Sequence, residues 1–140
     1  MGRSGHWLGE AERRMSSTRR VLIVEDVDSM RALLDLTIRE IEGLSVSGLA
    51  SNGIEARFEF TRRFPDLVLL DEVLPGESSL DLLAELKSLS IPVILLTGLM
   101  GRTEPLPEGA LHRLVKPAWK TLDQDRARIA QVIQSVWIRS

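Results

Sequence analysis

Glu25, Asp26, Asp71, Thr97 and Lys116 each stand at or just beyond the end of a short apolar run. Glu25 and Asp26 follow residues 21–24, Asp71 follows 67–70, Thr97 follows 93–96, and Lys116 follows Leu114 and Val115. Three carboxylates, a hydroxyl and an ammonium suit a divalent cation beside a phosphoryl group. Hard oxygen ligands hold the cation, and the ammonium and hydroxyl answer phosphate charge. These residues are far apart in the chain, so that chemistry requires a fold that brings them to one edge.

The apolar runs have the length and branching of strands buried on both faces of a parallel sheet. In open α/β sheets, ligands bind beyond the carboxyl ends of the strands, where these residues fall. Residues 21–26 read as the first strand. A helix follows, capped by Asp28 or Ser29, with Met30, Leu33, Leu34, Ile38 and Ile41 on its inner stripe and Gly43 at its end. Residues 44–49 form a second strand, and Asn52-Gly53 turns into a helix that points Ile54, Ala56 and Phe58 inward and closes at Pro65. Residues 67–70 are the third strand, and 71–77 a loop. Leu80, Leu82, Leu83, Leu86 and Leu89 stripe a third helix. Residues 91–96 make the fourth strand, with Pro92 at its start, where a missing N–H matters least. Residues 98–109 occupy the place of a fourth helix, but Gly98, Gly101, Pro105 and Pro107 leave room for one or two helical turns at most. Residues 111–115 are the fifth strand. The last helix buries Leu122, Ile129, Val132, Ile133 and Val136. This βαβ rhythm gives a parallel sheet with right-handed crossovers.

The chain's 140 residues make one domain's worth. A kinase or an ordinary DNA-binding domain would not fit beside a five-stranded α/β unit. A formal net charge of −2 gives no reason to expect nucleic acid. The sequence has no cysteine, and His6 and His112 lack metal-ligand spacing. No apolar stretch reaches the ~18 residues of a membrane span, and no secretion signal is present. The expectation is a soluble cytoplasmic domain over residues 19–140 behind an N-terminal extension, residues 1–18. Within that extension Trp7, Leu8, Ala11 and Met15 have helical spacing, which suits a docked helix or a leader without function.

The motifs together carry a resemblance. Val-Glu25-Asp26, Leu-Leu-Asp71 with Pro75 four residues on, Leu-Thr97-Gly98, and Gly109-Ala110 leading to Lys116-Pro117 stand in order at strand ends. Over about residues 19–138 the chain resembles the receiver domain of two-component response regulators. The resemblance implies a doubly wound, flavodoxin-like sheet of order 2-1-3-4-5. It implies that Asp71 accepts a phosphoryl group from a histidine kinase, with Mg²⁺ held by Glu25, Asp26, Asp71 and the Val73 backbone carbonyl. Thr97, Gly98 and Lys116 then contact the phosphate. The expected function is a stand-alone regulator that signals to a downstream protein by contact. It catalyses its own phosphorylation but is not an enzyme with a free substrate. The family also suggests a cis peptide at Lys116-Pro117.

Several positions depart from the family. Arg113 stands three before Lys116, where an aromatic switch is usual. Residues 98–109 degrade the fourth helix, and Ser79 replaces a glycine. Glu72, beside Asp71, adds a metal contact or, as favoured here, faces solvent. Val73 and Leu99 are apolar where the hydrolytic water must pass, which implies slow self-dephosphorylation. One alternative is a phosphorylation-independent binding module on the same fold. Another, a Mg²⁺-dependent phosphohydrolase, needs an aspartate where Val73 stands. The final helix, with Trp137 near its end, offers a homodimer contact as well as a core position.

Overall fold

In the computed structural model, residues 18–76, 78–98 and 103–138 are described. Five parallel strands form one sheet, β1 (Arg19–Val24), β2 (Leu44–Ala50), β3 (Leu67–Asp71), β4 (Val93–Thr97) and β5 (Ala110–Val115), in the order β2-β1-β3-β4-β5. The helices are α1 (Asp28–Arg39), α2 (Gly53–Arg62), α3 (Ser79–Ser88) and α4 (Leu122–Ser135), with one 3₁₀ turn at Trp119–Thr121. The sheet order and connectivity are those expected of the doubly wound fold.

Alternation along the strands splits the core in two. Leu22, Val24, Val68 and Leu70 face Ala56 and Phe60 of α2 and Leu82, Leu83 and Leu86 of α3. Val21, Ile23, Leu67 and Leu69 face Leu34 and Ile38 of α1 and Ile129 and Ile133 of α4. Every residue of β3 and β4 is buried. Each large apolar side chain taken fully out of water contributes roughly 1.5–3 kcal/mol, so the strands that carry Asp71 and Thr97 are the most firmly held.

Some local expectations are corrected. β1 begins at Arg19 and ends at Val24, leaving Glu25 and Asp26 beyond it. The N-cap of α1 is Val27, not Asp28 or Ser29, and it makes no side-chain cap. Glu25 takes the Val27 N–H instead, and Asp28 sits in the first turn, bonded to Arg31. On α2, Ile54 and Phe58 are exposed, and the inner residues are Gly53, Ala56 and Phe60. Small residues there let the helix lie close to the sheet. On α3, Leu80 and Leu89 are exposed, outside the buried face of Leu82, Leu83 and Leu86. Trp137 is partly buried, packed against the α1/α4 side of the core with the Arg19 guanidinium 5.0 Å from its ring centre.

Between β4 and β5, Gly98 and residues 103–109 carry no helix, and 99–102 lie outside the described residues, as do 1–17. Gly109 has φ +99°, and an added Cβ would meet Lys87 and Leu83 of α3 at 3.3–3.4 Å. A glycine is thus required both by its conformation and by the close approach of this segment to α3.

α3 ends in a Schellman motif. The Ser90 N–H donates to the Lys87 carbonyl and the Ile91 N–H to the Leu86 carbonyl, with Leu86 and Ile91 in one apolar cluster. Ser90 occupies the left-handed position at φ +61°, where glycine is favoured. Ser90→Gly therefore stabilises the protein by about 0.5–1 kcal/mol, read as a rise in urea midpoint at unchanged slope; an unchanged or lowered midpoint contradicts this.

Candidate functional site

The ends of β1, β3, β4 and β5 bring Asp26, Asp71, Thr97, Gly98 and Lys116 around a cleft of about 260 Å³, with Glu72, Val73 and Leu96 in its wall. Glu25 lies beneath, fully buried. Carboxylate oxygens of Glu25, Asp26 and Asp71 lie within 4.8 Å of one another. The Lys116 ammonium sits between two of these acids, 2.8 Å from Glu25 Oε1 and 3.3 Å from Asp71 Oδ2. The remaining oxygens have backbone donors: the Val27 N–H to Glu25 Oε2 at 3.0 Å and the Val73 N–H to Asp71 Oδ1 at 3.1 Å. All the residues expected at the site converge there.

Each side chain is placed by its local backbone. The Lys116 N–H donates to the Thr97 carbonyl at 2.8 Å, tying the ends of β4 and β5 together. The Ser79 hydroxyl donates to the Asp71 carbonyl at 2.8 Å, so the serine found in place of glycine pins α3 to the end of β3. Arg31 donates to the Glu25 carbonyl at 2.9 Å. No cis peptide occurs among the described residues, so the Lys116-Pro117 bond is trans.

A second network, not foreseen from the sequence, holds the lysine loop from behind. Asp125 is buried; its Oδ2 accepts the Ala118 N–H at 2.9 Å and the Thr121 hydroxyl at 2.6 Å, and its Oδ1 accepts Arg128 Nε at 3.0 Å. Arg128 also donates to the carbonyls of Val115 and Lys116. Burial pushes the Asp125 carboxyl up, but the bonds from Thr121 and Ala118 and the Arg128 charge outweigh it and hold the pKa below its usual value. An acid at the start of a helix reads in sequence as a dipole complement, and nothing in the sequence signals its inward turn.

Glu72 corrects its favoured reading. It does not face solvent and is not among the clustered metal-type donors; its Oε1 accepts Arg113 Nε at 2.5 Å, with both side chains nearly buried. Arg113 fills the aromatic position with a fixed ion pair. The contact reaches from the end of β3 past β4 to β5 and has no local sequence signature.

The electrostatics follow from two buried acids sharing one cation, with Asp26 close by. Burial pushes the Asp71 carboxyl up, from an ordinary 3.8 to about 6; the Val73 N–H lowers it, the Glu25 charge raises it, Lys116 lowers it and Asp26 raises it again. Burial draws the Lys116 ammonium down, but the bond to Glu25 and the charge of Asp71 leave it net raised.

The fold and this cleft define a class of α/β signalling domain, and comparison with known proteins gives its family. The chain belongs to the response regulator receiver domain family, which matches residues 21–125. It is 34% identical over 110 residues to a protein-glutamate methylesterase/protein-glutamine glutaminase of Agrobacterium fabrum, covering 74% of this chain and 31% of that protein. The chain spans roughly a quarter to a third of the length of the curated methylesterases it matches. Among solved structures it is similar to the response regulator domain of Thermotoga maritima CheB (TM-score 0.72, 26% identity, 84% of this chain and 95% of that one). It is also similar to the response regulator TrrA of Thermotoga maritima, in complex with Mg²⁺-BeF (TM-score 0.63, 30% identity, 81% and 99%).

The raised Asp71 pKa has a signed consequence. Between 3.8 and about 6 the folded state holds a proton that the unfolded state has released, so stability falls as pH rises through that window. Allowing for solvent screening, this amounts to roughly 1–2 kcal/mol. Metal-free protein therefore has a lower Tm at pH 7 than at pH 5. Asp71→Asn removes most of that loss. An equal fall in Tm from pH 5 to pH 7 in both proteins contradicts this.

Proposed function

We propose that this receiver domain accepts a phosphoryl group on Asp71 from a histidine kinase and passes the signal by protein–protein contact. The observation that carries the reading is the Lys116 ammonium, held between Glu25 and Asp71 at the mouth of an acidic cleft. The donor set fits a hard cation: clustered carboxylates with no soft ligand among them. Asp26 and Asp71, with Glu25 and the Val73 carbonyl, would hold Mg²⁺. When bound, it supplies charge neutralisation for the incoming phosphoryl group.

The chain's own groups account for the rest. An Asp71 carboxylate oxygen attacks phosphorus as the P–N bond of the phosphohistidine breaks, and the electron pair leaves on the imidazole nitrogen. Lys116, 3.3 Å from Asp71, is close enough to pair with a phosphoryl oxygen carried there. The buried Thr97 hydroxyl and the backbone at Gly98 line the same cleft and are the proposed phosphate contacts. The domain serves one turnover on its own side chain, so it is a phosphoacceptor and not an enzyme acting on free substrate. The absence of any helix long and apolar enough to cross a membrane, among the described residues, agrees with a role in the cytoplasm. Residues 19–140 are the proposed domain, and 1–18 its extension.

A second reading, a binding module independent of phosphorylation, is favoured by one observation: Arg113 is locked to Glu72 where a movable aromatic ring is usual in the family.

Intact mass after incubation with Mg²⁺ and acetyl phosphate separates the two. One added phosphoryl group on the native chain and none on Asp71→Asn supports the phosphoacceptor. No adduct and no Mg²⁺ binding supports the module. The adduct's lifetime gives a further check. Val73, largely exposed beside Asp71, cannot orient water by hydrogen bonding, so self-dephosphorylation is slow. Val73→Asn shortens the lifetime by roughly tenfold or more; rapid loss from the native chain contradicts this.

A further inference from the structure

Arg113 is more than a missing switch. Its guanidinium makes three directed bonds at once: Nε to Glu72 Oε1, one terminal nitrogen to the Glu104 carbonyl at 2.6 Å, and the other to the Pro105 carbonyl at 3.4 Å. The arginine therefore fastens the end of β3 to the irregular segment that replaces a helix before β5. Other ties of that segment include Glu108 with Lys87 of α3 and the Ala110 N–H with the Pro107 carbonyl. Between it and α3 lies a groove of about 530 Å³, whose walls include Leu80, Leu83, Leu95, Pro105 and Pro107, with Arg113 and Glu72 also lining it.

Glu72 is the residue after Asp71, and its own N–H is held by the Leu96 carbonyl. It lines the acidic cleft as well as the groove. A change of charge and bonding at Asp71 thus reaches Glu72 through one peptide unit. The planar fork of Arg113 cannot follow a displaced carboxylate and keep its bonds to both carbonyls. Separating the nearly buried ion pair leaves uncompensated charge and is strongly disfavoured, whereas carbonyls at the segment's exposed side can turn to water.

We infer that the Glu72–Arg113 pair couples Asp71 to residues 103–107: loading Asp71 draws the guanidinium off the Glu104 and Pro105 carbonyls, frees the segment and opens the groove it walls. The device rests on the phosphoacceptor reading and deepens it. It replaces the rotation of an apolar ring by the transfer of hydrogen bonds from backbone to solvent, an order-to-disorder step in a two-state element.

The test is hydrogen exchange of the peptides spanning residues 103–112, with and without Mg²⁺ and beryllium fluoride as the phosphoryl stand-in, on the full chain. Native mass reports whether the adduct has formed. Loading accelerates exchange in the native chain at the Ala110 N–H, which the segment's Pro107 carbonyl accepts. Arg113→Lys keeps charge opposite Glu72 but loses the fork; its segment exchanges fast before loading and changes little afterwards. Arg113→Met behaves in the same way if it folds, and the lysine variant carries the test if it does not. A formed adduct with unchanged exchange in the native chain overturns the coupling alone. So does an Arg113→Lys protein that responds as the native one does. Failure to form any adduct removes the phosphoacceptor reading, and the coupling with it.

Discussion

The structure depends on one ammonium shared by two buried acids. Lys116 must satisfy Glu25, which has no contact with solvent, and still reach Asp71. A buried carboxylate left without a partner is among the costliest features a fold can contain. The parallel sheet, the tie between β4 and β5 at Thr97 and the placement of the lysine loop are all constrained by the need to keep this charge count. The same constraint leaves Asp71 short of cation. Burial, with the Glu25 charge beside it, lifts the Asp71 pKa, and the crowded acids make the cleft receptive to further positive charge.

Two supports hold that arrangement from opposite sides. Behind the cleft, Asp125 and Arg128 fix residues 115–118 with bonds to backbone. In front, Glu72 and Arg113 fix the chain between β4 and β5. Both supports are ion pairs that spend part of their hydrogen-bonding capacity on carbonyls and amides, so they set the course of irregular backbone where no helix or strand can. The first supports the reacting lysine. The second joins the cleft to a groove lined mainly with apolar side chains.

The site was legible because Glu25, Asp26, Asp71 and Thr97 stand at the ends of runs buried on both faces; Lys116 follows β5, a largely exposed edge strand, and was read from its motif. Val21 to Val24, Leu67 to Leu70 and Val93 to Leu96 could be little else than inner strands, and the chemistry follows their ends. The helix faces were less legible. Ile54 and Phe58 of α2 are large and apolar and yet point outward, while Gly53, Ala56 and Phe60 make the inner face. Asp28 looked like a cap, but the cap position fell to Val27, whose N–H Glu25 requires. Glu72, Arg113 and Asp125 were opaque for a common reason: a charged residue in a loop or at a helix start is ordinarily solvated, and its inward turn depends on partners supplied by other parts of the chain.

The Asp125–Arg128 network also bears on where this domain can be cut. The family match runs to residue 125, which takes in Asp125 but leaves out Arg128. It also omits Ile129 and Ile133, which seat α4 on the sheet. A boundary drawn by family similarity would retain every residue of the acidic cleft and discard the guanidinium that holds the lysine loop in place. The smallest piece that preserves the chemistry is therefore larger than the piece that carries its signature. Swaps that graft this cleft onto another scaffold must carry the last helix with it.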